Sequence, residues 1–214
     1  MIISITSLKG GVGKSTFATN IAVCLAHAGY KVAIIDTDMN ASSVHWSGIR
    51  SEDLPEIMVT GITDAAALRK NINKIHRDYD IVVIDGTPSI SKLVSTILIL
   101  GDVVLIPLKP SGFDIWAIEK FLEKYEQAKA LRDDIQAYFV LNEYQKNVIF
   151  DRSSLEAIGE LEIPILDTKI KTRVAYKEAI IGGMGVFEYR DKKAKKEMVS
   201  LTNEIITILK EQSE

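Results

Sequence analysis

Lys9-Gly10-Gly11-Val12-Gly13-Lys14-Ser15-Thr16 follows directly on the apolar run Ile2-Ile3-Ser4-Ile5-Thr6. A buried strand that feeds a glycine-rich turn ending Gly-Lys-Ser builds a phosphate cradle. The glycines let backbone N–H groups converge, the next helix presents its positive end, and Lys14 adds a charge. Gly10, Gly11, Val12, Gly13, Lys14, Ser15 and Thr16 are therefore the candidate phosphate-binding residues. The strict form Gly-x-x-x-x-Gly-Lys-Ser/Thr is not met, because Leu8 stands where its first glycine belongs. Instead a second lysine, Lys9, precedes the glycines, where a phosphate loop needs no positive charge.

Around this loop the chain reads as one α/β domain over residues 1–214. Short apolar runs at 2–6, 31–35, 57–60, 81–84, 103–107, 136–141 and 163–166 alternate with helical patterns at 14–28, 63–76, 91–99, 115–131, 151–160 and 191–211. Several runs lack polar alternation, as strands covered on both faces of a parallel sheet do. The alternation implies a single doubly wound, mostly parallel sheet flanked by helices, with ligands beyond the carboxyl ends of the strands. Gly29 is placed to end the first helix, which is expected to be amphipathic.

Composition is that of an ordinary globular chain, 47% hydrophobic and 26% charged. The net charge of −3 offers no global attraction to nucleic acid, so DNA contact requires a local patch. The single cysteine, Cys24, cannot form an internal disulfide and is expected to be a small buried residue. The N-terminus does not read as a signal peptide, and the apolar stretch from Ile97 to Leu108 is too short to span a bilayer. A cytoplasmic protein is expected.

Two strand ends carry carboxylates. Ile34-Ile35 runs into Asp36-Thr37-Asp38, and Ile81-Val82-Val83-Ile84 runs into Asp85-Gly86-Thr87-Pro88. Aspartates there suit magnesium or a water molecule, though the Asp36/Asp38 spacing also suits helix-capping or turn residues. Asp85 matches the magnesium-side carboxylate of P-loop NTPases, with the Ser15 hydroxyl as its partner on the metal. Gly86 and Pro88 suit a segment that senses a terminal phosphate. Pro107 and Pro110 stiffen the segment after the 103–107 strand, which is expected to wall a base pocket or a dimer seam. Basic residues collect late in the chain, at Lys169, Lys171, Arg173 and Lys177 and again at Arg190, Lys192, Lys193, Lys195 and Lys196, diluted by nearby acids.

The variant loop Lys-Gly-Gly-x-Gly-Lys-Ser resembles the deviant P-loop family that includes ParA, MinD and the nitrogenase iron protein, and the later motifs follow in that family's order. The resemblance implies binding and hydrolysis of ATP with magnesium. It casts Lys9 as reaching the nucleotide of a second subunit, so that a homodimer sandwiches two ATP molecules, and Lys14 as serving its own. Asp38 would position the attacking water, Asp36 would support the magnesium shell, and Asn142 would face adenine. Where the family often continues with Pro-Gln, this chain has Met39-Asn40. The stretch from Lys171-Thr172-Arg173 to Ala179 is similar to the segment that carries ParA's DNA-binding basic residues, which makes Lys169, Lys171, Arg173, Lys192 and Lys193 the candidate DNA contacts.

Among relatives, one cysteine excludes an iron–sulfur cluster shared in the nitrogenase manner. An amphipathic C-terminal segment ending Glu211-Gln212-Ser213-Glu214 is ill suited to anionic lipid, so no membrane partner is expected. A strand starting at residue 2 leaves no room for an N-terminal helix-turn-helix. The resemblance then points to a small ParA-type partition ATPase on the nucleoid, working on plasmid or chromosomal DNA through a ParB-like adaptor. The alternatives are a positioning ATPase for a protein cargo and a MinD-like membrane switch.

Overall fold

A computed structural model describes residues 1–89, 91–109, 115–145 and 163–211. Six strands form one all-parallel sheet: β1 (Ile2–Ile5), β2 (Val32–Asp36), β3 (Met58–Gly61), β4 (Ile81–Asp85), β5 (Val103–Leu108) and β6 (Gln136–Leu141), in the order β3-β2-β4-β1-β5-β6. The helices among the described residues are α1 (Lys14–His27), α2 (Ser42–Gly48), α3 (Ala65–Asp78), α4 (Lys92–Leu100), α5 (Ile115–Lys129), α6 (Val174–Ile181) and α7 (Lys192–Glu211).

The strand residues divide by parity between the two faces. Val32, Ile34, Ile81 and Val83 share one core cluster with Phe17 and Ile21 of α1 and with Met198 and Leu201 of α7. Ala33, Ile35, Val82 and Ile84 pack with Leu68 and Ile72 of α3 and Ile97 of α4 on the opposite face. Both faces are therefore apolar, and the alternation typical of a half-exposed sheet is missing. From β1 the chain crosses to β2 and β4 on one side and later to β5 and β6 on the other. The loop after β1 thus emerges where the winding reverses, the usual ligand position in such sheets.

The structure departs from the sequence expectations at several points. α1 is buried almost all round, from Phe17 through Leu25, because it lies between sheet and α7, so the expected amphipathic stripe does not exist. Residues 163–166 form no strand. Ile165 makes only an isolated bridge to Phe139, with Pro164 accepting from the Phe139 N–H and interrupting any ladder. Pro107 sits inside β5, paired with Val140, and not in the loop beyond it. A proline is tolerated there because the β1 ladder has already ended at Leu105, whose carbonyl accepts from Thr6. α2 and α6 were not expected. The helix expected over 151–160 and the loop residue Pro110 lie outside the described residues. Cys24 is buried, as expected.

Candidate functional site

The glycine loop leaves β1 at Ile5 and enters α1 at Lys14 through Gly13, whose φ of 105° is accessible to glycine and strained for other residues. Val12 is buried beneath the loop. The Lys14 ammonium donates to the carbonyl of Lys9 at 3.0 Å and is almost wholly buried. Burial lowers its pKa, while the charges of Asp85 and Asp38 act in the opposite direction. The two lysines of the motif are thus joined, side chain to backbone.

Pairing of β2 with β4 sets Asp36 directly beside Asp85. Both carboxylates are inaccessible to solvent. Asp36 accepts from Asp38 N–H at 3.0 Å, Ser43 N–H at 2.8 Å and Val44 N–H at 3.2 Å. It therefore caps the N-terminus of α2. Of the two openings left by the Asp36/Asp38 spacing, helix capping is the one Asp36 fills here, since its oxygens are taken up by backbone donors. Asp38, half-buried, accepts from Asn40 N–H at 2.9 Å and closes the turn before α2.

Asp85 differs. One oxygen, Oδ2, accepts the Ser43 hydroxyl at 2.7 Å, while Oδ1 is buried with no hydrogen-bond partner. Burial pushes its pKa up to about 7, and the neighbouring Asp36 charge adds to the rise; the Ser43 and Ser15 hydroxyls and the Lys14 ammonium oppose it. A buried carboxylate oxygen with no hydrogen-bond partner and a hydroxyl nearby is a donor suited to a divalent cation. The donor set fits magnesium, which is commonly held by one or two protein oxygens plus substrate phosphates and water.

The strand ends are tied to one another. The Thr37 hydroxyl donates to the Asp85 carbonyl at 2.8 Å and accepts from Thr87 N–H at 3.1 Å. Gly86 N–H donates to Ile5 O at 2.8 Å, and a Cβ on Gly86 would lie 2.6 Å from that same carbonyl. Ser43 and Thr37 complete this arrangement, and sequence reasoning missed both. Neither belongs to a local pattern, because each acts on a strand 42 or more positions away.

A groove of about 480 Å³ runs beside the loop, bordered by Gly11, Gly13, Thr16, Asn142 and, opposite, Lys171 and Tyr176. Lys109 and Glu143 pair across its rim at 2.7 Å. Asn142, at the end of β6, does not project free into this groove. Its amide donates to Val12 O at 2.8 Å and accepts from Glu143 N–H at 2.9 Å. Lys9 and Pro107 line a narrow apolar crevice under the loop with Leu8 and Phe121.

The structure splits the basic candidates. Arg173 is held by Glu197 through two short bonds, 2.6 and 3.0 Å, so its charge is already paired. Lys169 lies over the Tyr144 ring, 5.1 Å from its centre. Lys171 borders the groove, while Lys192 and Lys193 are exposed on the first turn of α7. A cluster that the sequence did not suggest clamps the segment before α7: Arg50, at the end of α2, forms a two-point pair with Glu188 at 2.6 and 2.9 Å, both side chains nearly buried.

This architecture has known counterparts. The chain is 30% identical over 207 residues, 95% of each protein, to maintenance of carboxysome distribution protein A of Halothiobacillus neapolitanus. Its fold superposes on the cell division ATPase MinD of Pyrococcus furiosus with a TM-score of 0.79, at 23% identity over 97% of this chain and 98% of that one. It also matches cobyrinic acid a,c-diamide synthase of Mycobacterium smegmatis, solved with an ATP analogue and magnesium, with a TM-score of 0.76 at 18% identity over 94% and 92% of the two chains. Residues 3–186 match the CobQ/CobB/MinD/ParA nucleotide binding domain. That stretch holds the lysine-flanked loop, both strand-end aspartates and Asn142, and the chain therefore belongs to the ParA/MinD superfamily of P-loop ATPases.

Proposed function

We propose that this chain is an ATP-hydrolysing switch that closes into a homodimer on binding ATP, holds non-specific DNA in that form, and places a cargo through a cargo-bound adaptor. The observation that carries the reading is Asp85, a buried carboxylate with an unpaired oxygen beside Ser15 and Lys14. In this reading the loop N–H groups and Lys14 hold the phosphates. Ser15 and Asp85 would hold magnesium, which supplies charge neutralisation at the phosphate oxygens. Asp38, outside the capped α2 and half-exposed, orients water, and Lys9 stabilises charge across the subunit seam as an arginine finger does. Asp36 supports the site by fixing α2 and hence the Ser43 hydroxyl on Asp85.

Lys171, Lys192 and Lys193 are the DNA contacts in this reading, doubled in the dimer; Arg173 is withdrawn from that set by its pairing with Glu197. A plasmid or chromosome held through a ParB-like adaptor is one cargo. A protein assembly is the other, and the extent of similarity to the carboxysome distribution protein, end to end in both chains, favours it. No helix among the described residues is long and apolar enough to cross a membrane.

The test is binding to a fluorescent, arbitrary-sequence duplex with magnesium and ATP or ADP, at one fixed moderate salt because phosphate contacts are salt-dependent. Binding with ATP and not ADP supports the reading. Failure to bind DNA in a protein that still dimerises with ATP refutes the DNA-borne mechanism.

A further inference from the structure

We propose that Ser43 is a positioning residue for magnesium: its hydroxyl holds the Asp85 carboxylate by one oxygen, so that the other oxygen is left for the metal. The inference rests on the nucleotide-binding reading above. Its ground is a buried contact that joins the first turn of α2 to the end of β4. Ser43 Oγ donates to Asp85 Oδ2 at 2.7 Å, while Asp85 Oδ1 has no hydrogen-bond partner.

An aspartate carboxylate turns easily about its last bond, and its two oxygens are chemically alike. One good donor on one oxygen removes that freedom and decides which oxygen stays open. Ser43 can play this part because its own backbone is pinned. Its N–H donates to Asp36 Oδ2 at 2.8 Å, and Val44 N–H donates to the same oxygen at 3.2 Å. Asp36 in turn stands beside Asp85 in the β2–β4 register. The main chain of Asp85 is held as well, since its carbonyl accepts from Thr37 N–H at 2.9 Å and from the Thr37 hydroxyl at 2.8 Å. A closed ring results, running from β2 through the Asp36 side chain to Ser43, and through the Ser43 hydroxyl to β4. All three side chains are closed to solvent, so water does not compete for the contact.

The chemistry singles out a hydroxyl. It donates one hydrogen bond and carries no charge, so it orients the carboxylate without neutralising it. A cationic side chain at 43 would compete with the metal, and an apolar one would let the carboxylate turn. Hydrogen bonds made to a metal's ligands commonly account for 10- to 100-fold in metal affinity.

The test is titration calorimetry with ATP, once in excess magnesium and once in EDTA. The ratio of the two affinities is the gain that magnesium brings. Ser43→Ala should shrink this gain by about 10-fold or more and leave the affinity in EDTA within about threefold of the wild type. If Ser43 merely secures α2, the two affinities fall together or neither changes, and either result overturns the proposal. An Asp85→Asn background gives a second readout. There Ser43→Ala should add no further loss, because the carboxylate it orients is already gone; losses that add overturn the proposal. Urea unfolding of each ligand-free variant establishes that folded proteins are being compared. A wild type that binds no ATP in either condition refutes the nucleotide-binding reading and this proposal with it. A wild type and Ser43→Ala that gain equally from magnesium refute the proposal alone.

Discussion

Replacing Glu188 by Gln tests how the segment between α6 and α7 is fastened to the nucleotide-side helices. Glu188 and Arg50 bond at two points, and their side chains are only 3% and 6% exposed. Glu188 also accepts from Gly185 N–H at 3.0 Å and contacts His27 at 2.9 Å, and Arg50 donates further to the carbonyls of Pro55 and Gly183. Glutamine keeps the shape but strands a buried guanidinium charge. Breaking one partner of such a pair costs about 3–5 kcal/mol. The low end, about 3 kcal/mol, applies because Arg50 keeps its carbonyl partners. In a chain of this size that corresponds to a fall in Tm of about 6–12 °C.

Urea unfolding should show a lower midpoint at unchanged slope. The pH dependence has a definite sign. Burial alone would raise the Glu188 pKa, but Arg50, the Gly185 N–H and His27 outweigh it and hold the group below its ordinary value of 4.5. The pair's contribution is therefore complete above pH 4.5 and is lost as the pH falls through the depressed native value. Glu188→Gln should flatten that acid limb. A double replacement, Arg50→Met with Glu188→Leu, should recover much of the loss because no charge is left unpaired. The reasoning is refuted if Glu188→Gln costs no more than about 0.5 kcal/mol, the worth of an exposed pair.

Three further outcomes concern the site. Lys14→Ala should weaken ATP binding by at least about 100-fold, as expected when a buried charged hydrogen-bond donor is removed from a phosphate; unchanged affinity would show that the loop does not hold phosphates. Asp38→Ala should bind ATP and accumulate as a dimer on size exclusion, with hydrolysis lowered by about 100-fold or more as for loss of a positioned proton acceptor; wild-type turnover would assign the water to another group. Lys9→Ala should retain ATP affinity within about threefold yet lose dimer formation and hydrolysis, following the role of a charge supplied across an interface; normal dimerisation would confine Lys9 to its own subunit.

Much of this was legible because its signals are local. The strand–loop–helix at residues 2–28 and the strands carry their patterns within a few residues; in β2, β4 and β5, buried throughout, covering of both faces demands continuous apolar runs. The two helices that escaped notice owe their ends to distant partners. α2 is preceded by Ala41, with a φ of 49° and no side-chain cap of its own, and its first donors are satisfied by Asp36 back in β2. α6 likewise has no side-chain cap, and its apolar Val174 and Ile181 face solvent, 68% and 77% exposed, which blurs the amphipathic period. Within the site, the aspartates could be found at strand ends, but their division of labour could not. Only the β2–β4 register and the Ser43 hydroxyl distinguish a saturated Asp36 from an Asp85 with an open oxygen. Asn142 stands out at a strand end, but its bond to Val12 O could not be read there, because that partner lies 130 residues earlier.

The glycines near the site are constrained by different things, and saturation mutagenesis could separate them. A Cβ at Gly86 would collide with Ile5 O and Thr6, so a screen for folded protein should return glycine alone at that position. At Gly10 a Cβ meets nothing within 4 Å, and the backbone there is not left-handed. A folding screen should therefore accept many residues at 10, while a screen for nucleotide-dependent activity should not. The gap between the two tolerance profiles, position by position, would map the outline of the bound phosphate chain onto the loop without any ligand in view.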